Sequence, residues 1–165
     1  MRHPKPDKTL PGQESVWDYP RPPALRVSTE SVQIVLGGVT IASTTRSWQV
    51  LETSHPPTYY VPREAFVDGV LEPVEGASHC EWKGMASYFD VVAGGARARR
   101  GAWTYLQPTA RFADLAGAIA VTPSEMDRCV VDGEDVVSQE GGFYGGWITS
   151  KVAGPFKGGP GSWGW

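Results

Sequence analysis

The fold is decided by residues 32–43, Val32-Gln33-Ile34-Val35-Leu36-Gly37-Gly38-Val39-Thr40-Ile41-Ala42-Ser43. Two runs rich in β-branched residues flank the pair Gly37-Gly38. Glycine adopts the positive φ angles that a two-residue hairpin turn requires. The segment therefore predicts an antiparallel hairpin with strands at 32–36 and 39–43.

A second hairpin is predicted at 87–105, where the turn 93–96 separates two strand-like runs and places Trp103 and Tyr105 on one face. The predicted helices are short and few. One helical turn is predicted at 62–65 and a two-turn helix at 108–117. Because strands dominate and do not alternate with helices, the predicted fold class is mainly β with antiparallel sheets. The remaining predicted strands are 48–52, 59–61, 70–74, 118–121 and 129–131.

The length of 165 residues fits one domain, which we place at residues 15–137. Residues 1–14 contain few apolar side chains, so we expect a mobile N-terminal arm. Residues 15–23 are rich in proline and are expected to lie extended across the domain. The tail 138–165 combines nine glycines with six large aromatic residues. Since aromatic side chains gain stability from burial, we expect the tail to pack on the domain or on a partner subunit in a homo-oligomer.

Composition argues against several classes of partner. The net charge of −3 provides no basic surface for nucleic acid. No apolar run reaches the roughly 18 residues of a membrane span, and no apolar region of a secretory signal follows the basic residues 1–8. We therefore expect a cytoplasmic protein with no nucleic-acid or membrane partner. Cys80 and Cys129 form no CxxC pair, so no metal and no cofactor are predicted.

Two polar and aromatic segments are the candidates for a functional site. They are Glu52-Thr53-Ser54-His55-Pro56-Pro57-Thr58-Tyr59-Tyr60-Val61-Pro62 and Ser78-His79-Cys80-Glu81-Trp82-Lys83-Gly84-Met85-Ala86-Ser87-Tyr88. We expect the fold to bring these two segments together.

Cys80 is a candidate nucleophile. A reactive thiolate needs a nearby base or cation. In a strand His79 would point away from Cys80, so His55 or Lys83 is better placed to assist it. The alternative is that Cys80 is a buried residue that acts only as a small apolar side chain.

His55, Glu52 and Tyr60 form a candidate acid/base set, because histidine titrates near neutral pH and a carboxylate can orient it. Alternatively, His55 only shapes the proline-rich loop that follows it. Lys83 offers a point charge to a carboxylate or phosphate, or else its stem covers Trp82 while its ammonium remains in water.

Aromatic residues from different strands are expected to line a cleft, as in most small-molecule sites. The alternative is that they form an aromatic core. The candidate ligand-binding residues are Tyr60, Trp82, Lys83, Tyr88, Trp103 and Tyr105.

Four segments of the chain resemble, in order and spacing, the bacterial and fungal family known as domain of unknown function 427. They are 52–62, 80–88, 102–105 and 131–134, and the flanking segments resemble the actinobacterial branch. The resemblance implies a β-tent type of fold, in which two antiparallel sheets meet at an angle. The chain lacks the paired cysteines with which zinc-containing relatives outside the family hold their metal. It also lacks the glycine-serine motif and paired carboxylates of nucleotidyltransferases, an activity that a label of the family suggests.

Three functions remain open from the sequence. The leading hypothesis is a binding module with an aromatic cleft for a small molecule. The second is an enzyme that uses Cys80 or His55 on a small electrophilic substrate. The third is a structural or assembly protein whose tail packs on another copy of the chain.

Overall fold

Strands dominate the computed structural model, which describes residues 3–165; Met1 and Arg2 of the predicted arm lie outside it. The predicted class, mainly β with antiparallel sheets, is confirmed. The strands are β1 Glu14–Ser15, β2 Ala24–Ser28, β3 Val32–Leu36, β4 Val39–Thr44, β5 Ser47–Leu51, β6 Thr58–Tyr60, β7 Leu71–Cys80, β8 Gly84–Ala93, β9 Ala96–Thr104, β10 Ile119–Val121, β11 Arg128–Val131, β12 Glu134–Asp135, β13 Val137–Ser138, β14 Trp147–Ile148 and β15 Val152–Ala153. The 3₁₀ helices are η1 Val16–Asp18, η2 Arg63–Ala65, η3 Ala110–Leu115 and η4 Pro123–Glu125.

Both predicted hairpins are present, and their turns touch each other. β3 pairs with β4 and β8 pairs with β9. A Cβ atom on Gly37 would lie 2.0 Å from the carbonyl oxygen of Ala93, and one on Gly94 would lie 1.9 Å from that of Gly37. Only glycine allows this approach, so the two hairpins are joined backbone to backbone at their turns.

One sheet contains β12-β11-β3-β4, and a longer one is assembled from two pieces. These pieces have the strand orders β2-β5-β6 and β10-β9-β8-β7. Val61 and Ile119 join them by two reciprocal backbone hydrogen bonds of 2.8 Å. The predicted strand at 48–52 is present as β5, and it pairs with β2 and β6.

Two predicted elements differ from the structure in extent or kind. The strand predicted at 70–74 is the ten-residue edge strand β7, whose residues are mostly exposed and therefore lack an alternating pattern. The helix predicted at 108–117 is η3, which Phe112 interrupts with a φ of −111°. Thr109 precedes η3 without capping it, because its hydroxyl donates to the carbonyl oxygen of Trp82 at 2.6 Å. The strand and the helix are thus shaped by contacts outside their own segments.

A hydrophobic core is formed by residues of both sheets and by one residue of the tail. Trp147 is 1% exposed and stacks on Tyr59 with a centroid distance of 4.7 Å. A second apolar cluster, around Tyr60, Tyr105 and Phe112, supports the candidate site described below.

The tail and the N-terminal segment contact each other. β1 pairs in parallel with β15, and the Asp7 N–H donates to the Gly154 carbonyl at 2.8 Å. The indole N–H of Trp17 donates to the carbonyl of Pro155 at 2.9 Å. Within residues 3–165, no helix has both the length and the apolar character that crossing a membrane requires.

Candidate ligand site on the aromatic face

Neighbouring strands and the β7–β8 turn place the predicted aromatic residues on one side of the long sheet. Tyr88 on β8 lies directly opposite Trp103 on β9. Tyr60 and Tyr105 are buried, whereas Trp82, Tyr88 and Trp103 are half-buried and pack against them. We call this set of five residues the aromatic face. It consists of a buried layer of tyrosine and an outer layer that retains exposed ring surface.

The tyrosine hydroxyls are polar groups inside this apolar layer. The indole N–H of Trp103 donates to the Tyr60 hydroxyl at 3.2 Å. Burial raises the pKa of Tyr60 and the pKa of Tyr105 above their usual values. Both hydroxyls are therefore protonated and uncharged at neutral pH.

Lys83 extends over the aromatic face from the turn that connects β7 to β8. Its ammonium lies 5.7 Å from the centroid of the Tyr105 ring. The Lys83 carbonyl accepts a 3.1 Å hydrogen bond from the Thr109 N–H, so the turn is fixed to the segment before η3. Burial acts to lower the pKa of Lys83, but its interactions with Tyr60, Cys80 and Glu52 outweigh burial and raise this pKa. Lys83 is therefore a cation at neutral pH and cannot act as an amine nucleophile.

Cys80 is the last residue of β7 and is half-buried beside the aromatic face. His79 is exposed, so the two residues point to opposite sides of the strand, as the sequence predicts. The side chains of Lys83 and Tyr105 both lie close enough to interact with that of Cys80. Lys83 is thus the cation that is placed to favour the thiolate form of Cys80.

Alkylation should occur at Cys80 and not at Cys129. Cys129 is 2% exposed, and burial raises the pKa of its thiol to about 12. One equivalent of iodoacetamide at pH 7.5 is therefore expected to label Cys80, and Lys83→Met should slow this reaction because a neighbouring cation favours the thiolate. The site and rate are measured by mass spectrometry. An unchanged rate in Lys83→Met would show that the ammonium does not act on the thiol.

The loop between β5 and β6 supplies the second group of predicted residues. Ser54 is buried and has a φ of 72°. Its N–H donates to the Val16 carbonyl at 3.0 Å, and its carbonyl accepts from the Lys157 N–H at 2.8 Å. These two bonds hold Ser54 in a left-handed conformation and direct the next residue, His55, towards the tail.

Gln139 determines the tautomer of His55, that is, which ring nitrogen carries the proton. Its Oε1 accepts from the Gly146 N–H at 3.2 Å, and its Nε2 donates to the Lys157 carbonyl at 2.7 Å. These backbone partners fix the orientation of the amide, so the Nε2 group that lies 3.0 Å from His55 Nδ1 is a donor. Nδ1 must then be an acceptor, and the ring proton is on Nε2.

Both ring nitrogens of His55 are therefore occupied. Nε2 lies 3.5 Å from the Glu52 carboxylate. Burial, together with the positive charges of Lys157, Arg21 and Lys83, lowers the pKa of His55 to about 4 despite the attraction of Glu52. A neutral imidazole with two partners favours the interpretation that His55 shapes the loop and orients Glu52.

The tail covers the space between this loop and the aromatic face. The rings of Tyr144 and His55 are 5.0 Å apart. A Cβ atom on Gly145 would lie 2.4 Å from the Trp103 ring, so the backbone of the tail lies directly on that indole. The two predicted segments are thus close to each other, with the tail packed against both.

Sequence reasoning missed four residues of this arrangement: Arg21, Gln139, Tyr144 and Lys157. They belong to proline-rich or glycine-rich segments, where composition indicates turns and gives no sign of side-chain contacts. Among residues 3–165, no three His, Cys, Asp or Glu side chains are grouped so that they could hold a metal ion.

No curated protein matches the chain. A family model described as a domain of unknown function matches residues 24–132, which include β2 to β11 and the whole aromatic face. The match covers more than half of the chain, and the protein therefore belongs to the domain of unknown function 427 (DUF427) family.

Proposed function

We propose that the protein is a small-molecule binding module whose ligand lies against the aromatic face. The observation that carries this proposal is the half-buried state of Trp82, Tyr88 and Trp103 above a buried layer of tyrosines, with the Lys83 ammonium over the Tyr105 ring. Apolar surface with a few oriented polar groups is typical of ligand sites. A cytoplasmic location, the β-tent arrangement and membership of the actinobacterial branch remain part of this proposal, and two free thiols suit a reducing compartment.

A thermal-shift screen of metabolites at neutral pH tests the proposal. A ligand present at 100 times its Kd is expected to raise Tm by about 5 to 10 °C. Trp82→Ala should abolish the shift because it removes a ring of the outer layer. Trp163 is 83% exposed in the tail, so Trp163→Ala is the matched control and should retain the shift. A ligand that stabilises both variants equally would place binding elsewhere on the protein.

A second candidate function is an enzyme with Cys80 as nucleophile. The contact between Cys80 and the Lys83 cation favours it, since a cation promotes the thiolate that attacks an electrophile. This candidate requires a covalent adduct with substrate on Cys80, detectable as an added mass that Cys80→Ser lacks.

The assembly hypothesis requires a different test from removal of the tail. Deleting 138–165 would remove Trp147 from the hydrophobic core and would therefore unfold the chain whatever its oligomeric state. The exposed tail residues Phe143 and Trp163 are better targets. If the tail mediates assembly, replacing both by serine should reduce the mass measured by light scattering.

A further inference from the structure

We propose that the ligand of the aromatic face is an organic anion, and that its carboxylate or phosphate pairs with Lys83. This inference rests on the proposed binding function and adds the chemical class of the ligand. It follows from a half-buried cation that forms no salt bridge within residues 3–165.

Lys83 forms none of the salt bridges found among residues 3–165. The arginines and the lysine that do form them keep at least 38% of their side-chain surface exposed, whereas Lys83 is half-buried among aromatic rings. Removing a charge from water is costly unless an opposite charge replaces the water. The hydroxyls of Tyr60 and Tyr105 are uncharged at pH 7, so neither supplies Lys83 with an opposite charge.

The surrounding charges leave a positive excess. Lys83, Arg21 and Lys157 all act on His55 as cations, and Glu52 is the carboxylate that opposes them. Glu52 is already bound to Arg21 at 3.3 Å and faces His55 Nε2 at 3.5 Å. Lys157 donates to the backbone oxygen of Trp165 at 3.2 Å. An incoming anion would therefore meet net attraction at this place.

A polar cleft elsewhere on the molecule shows the contrast. It has a volume of about 340 Å³ and is lined by Arg26, Lys151, Glu14 and Glu30, among others. Arg26 is paired there with Glu14, and Lys151 with Glu30. Its two cations are paired within the chain, whereas Lys83 forms no such pair among the described residues.

The outer layer of the aromatic face defines the rest of the ligand. Trp82 and Trp103 are half-buried in the same cluster as Tyr105, over whose ring the ammonium lies, and partly exposed indoles favour stacking with a flat ring. The expected class is an aromatic or heterocyclic compound that carries one carboxylate or phosphate group.

Matched probes test this class by isothermal titration at pH 7.5. Indole-3-acetate and indole-3-acetamide have nearly the same shape and differ in charge, and phenyl phosphate distinguishes a phosphate site from a carboxylate site. We expect at least tenfold tighter binding of one anion than of the amide. Lys83→Met should remove this preference and Lys83→Arg should keep part of it, whereas Lys5→Met in the exposed N-terminal segment should keep all of it. Equal binding of anion and amide, or no binding by either anion, overturns the anion inference.

The binding proposal fails separately, if no metabolite shift depends on Trp82.

Discussion

Replacement of Trp147 by alanine is expected to lower the free energy of unfolding by about 3 to 5 kcal/mol, the usual cost of removing a large buried aromatic side chain. Trp147 is 1% exposed and fills the core between the two sheets, where it stacks on Tyr59. Its backbone N–H also donates to the Pro57 carbonyl at 2.8 Å, so the surrounding chain cannot easily collapse into the cavity. A domain with a total stability of about 5 to 15 kcal/mol would lose a large share of it.

Urea unfolding followed by far-UV circular dichroism measures this effect. Trp147→Phe should cost less than Trp147→Ala, because phenylalanine keeps most of the volume and removes an indole N–H that has no hydrogen-bond partner. Trp163→Ala is the control of the same residue type in the same tail, and it should leave stability unchanged because Trp163 is 83% exposed. Similar small losses at both tryptophans would contradict the placement of Trp147 in the core.

The second large effect concerns pH. The pKa of His55 is lowered from 6.5 to about 4 in the folded chain, with burial as the main cause. Between these two values the unfolded chain takes up a proton at His55 that the folded chain does not. Stability should therefore fall as the pH drops from 6.5 towards 4, by roughly 2 to 3 kcal/mol from this residue.

Unfolding titrations between pH 4.5 and 7.5 isolate this contribution. His55→Gln cannot titrate, so its stability should depend less on pH than that of the wild type, by a slope that approaches about 1.4 kcal/mol per pH unit. Acidic groups with a lowered pKa, such as Glu14 and Asp132, also destabilise the fold in acid, but they act equally in both proteins and cancel. His79→Gln, at an exposed position of β7, should behave as the wild type does. Parallel pH profiles of His55→Gln and the wild type would show that His55 is not held neutral.

Much of the fold follows from local sequence signals. Gly37-Gly38 and Gly94-Gly95 mark hairpins whose strands are close in sequence, so turn chemistry alone predicts them. The pairing of β5, in contrast, does not follow from a local signal. β5 pairs with β2, and this choice depends on contacts between distant segments that no local pattern encodes. The length of β7 was equally hidden, because an exposed edge strand with Pro73 and Gly76 lacks both alternation and strong β-formers.

The residues of the candidate site likewise fall into those that the sequence predicts and those that only the packing of distant segments reveals. Cys80, Lys83, Trp82 and Tyr88 are neighbours in sequence, and composition is enough to single them out. Gln139 acts on His55 from 84 positions away. A glutamine in a glycine-rich tail gives no sign that its amide will fix a tautomer. Arg21, Tyr144 and Lys157 likewise reach the site only through the packing of both ends of the chain, and they lie outside the residues that match the family.

The parallel pairing of β1 with β15 has a consequence for biosynthesis. The ribosome releases β1 long before β15, and contacts between segments so far apart form slowly because a long loop must close first. A nascent chain can form both hairpins early, but it lacks Gln139, Trp147 and Lys157 until synthesis has passed them. The packing around His55 and the hydrophobic core are thus completed late, so a truncated translation product would leave its unfinished core exposed to quality-control proteases.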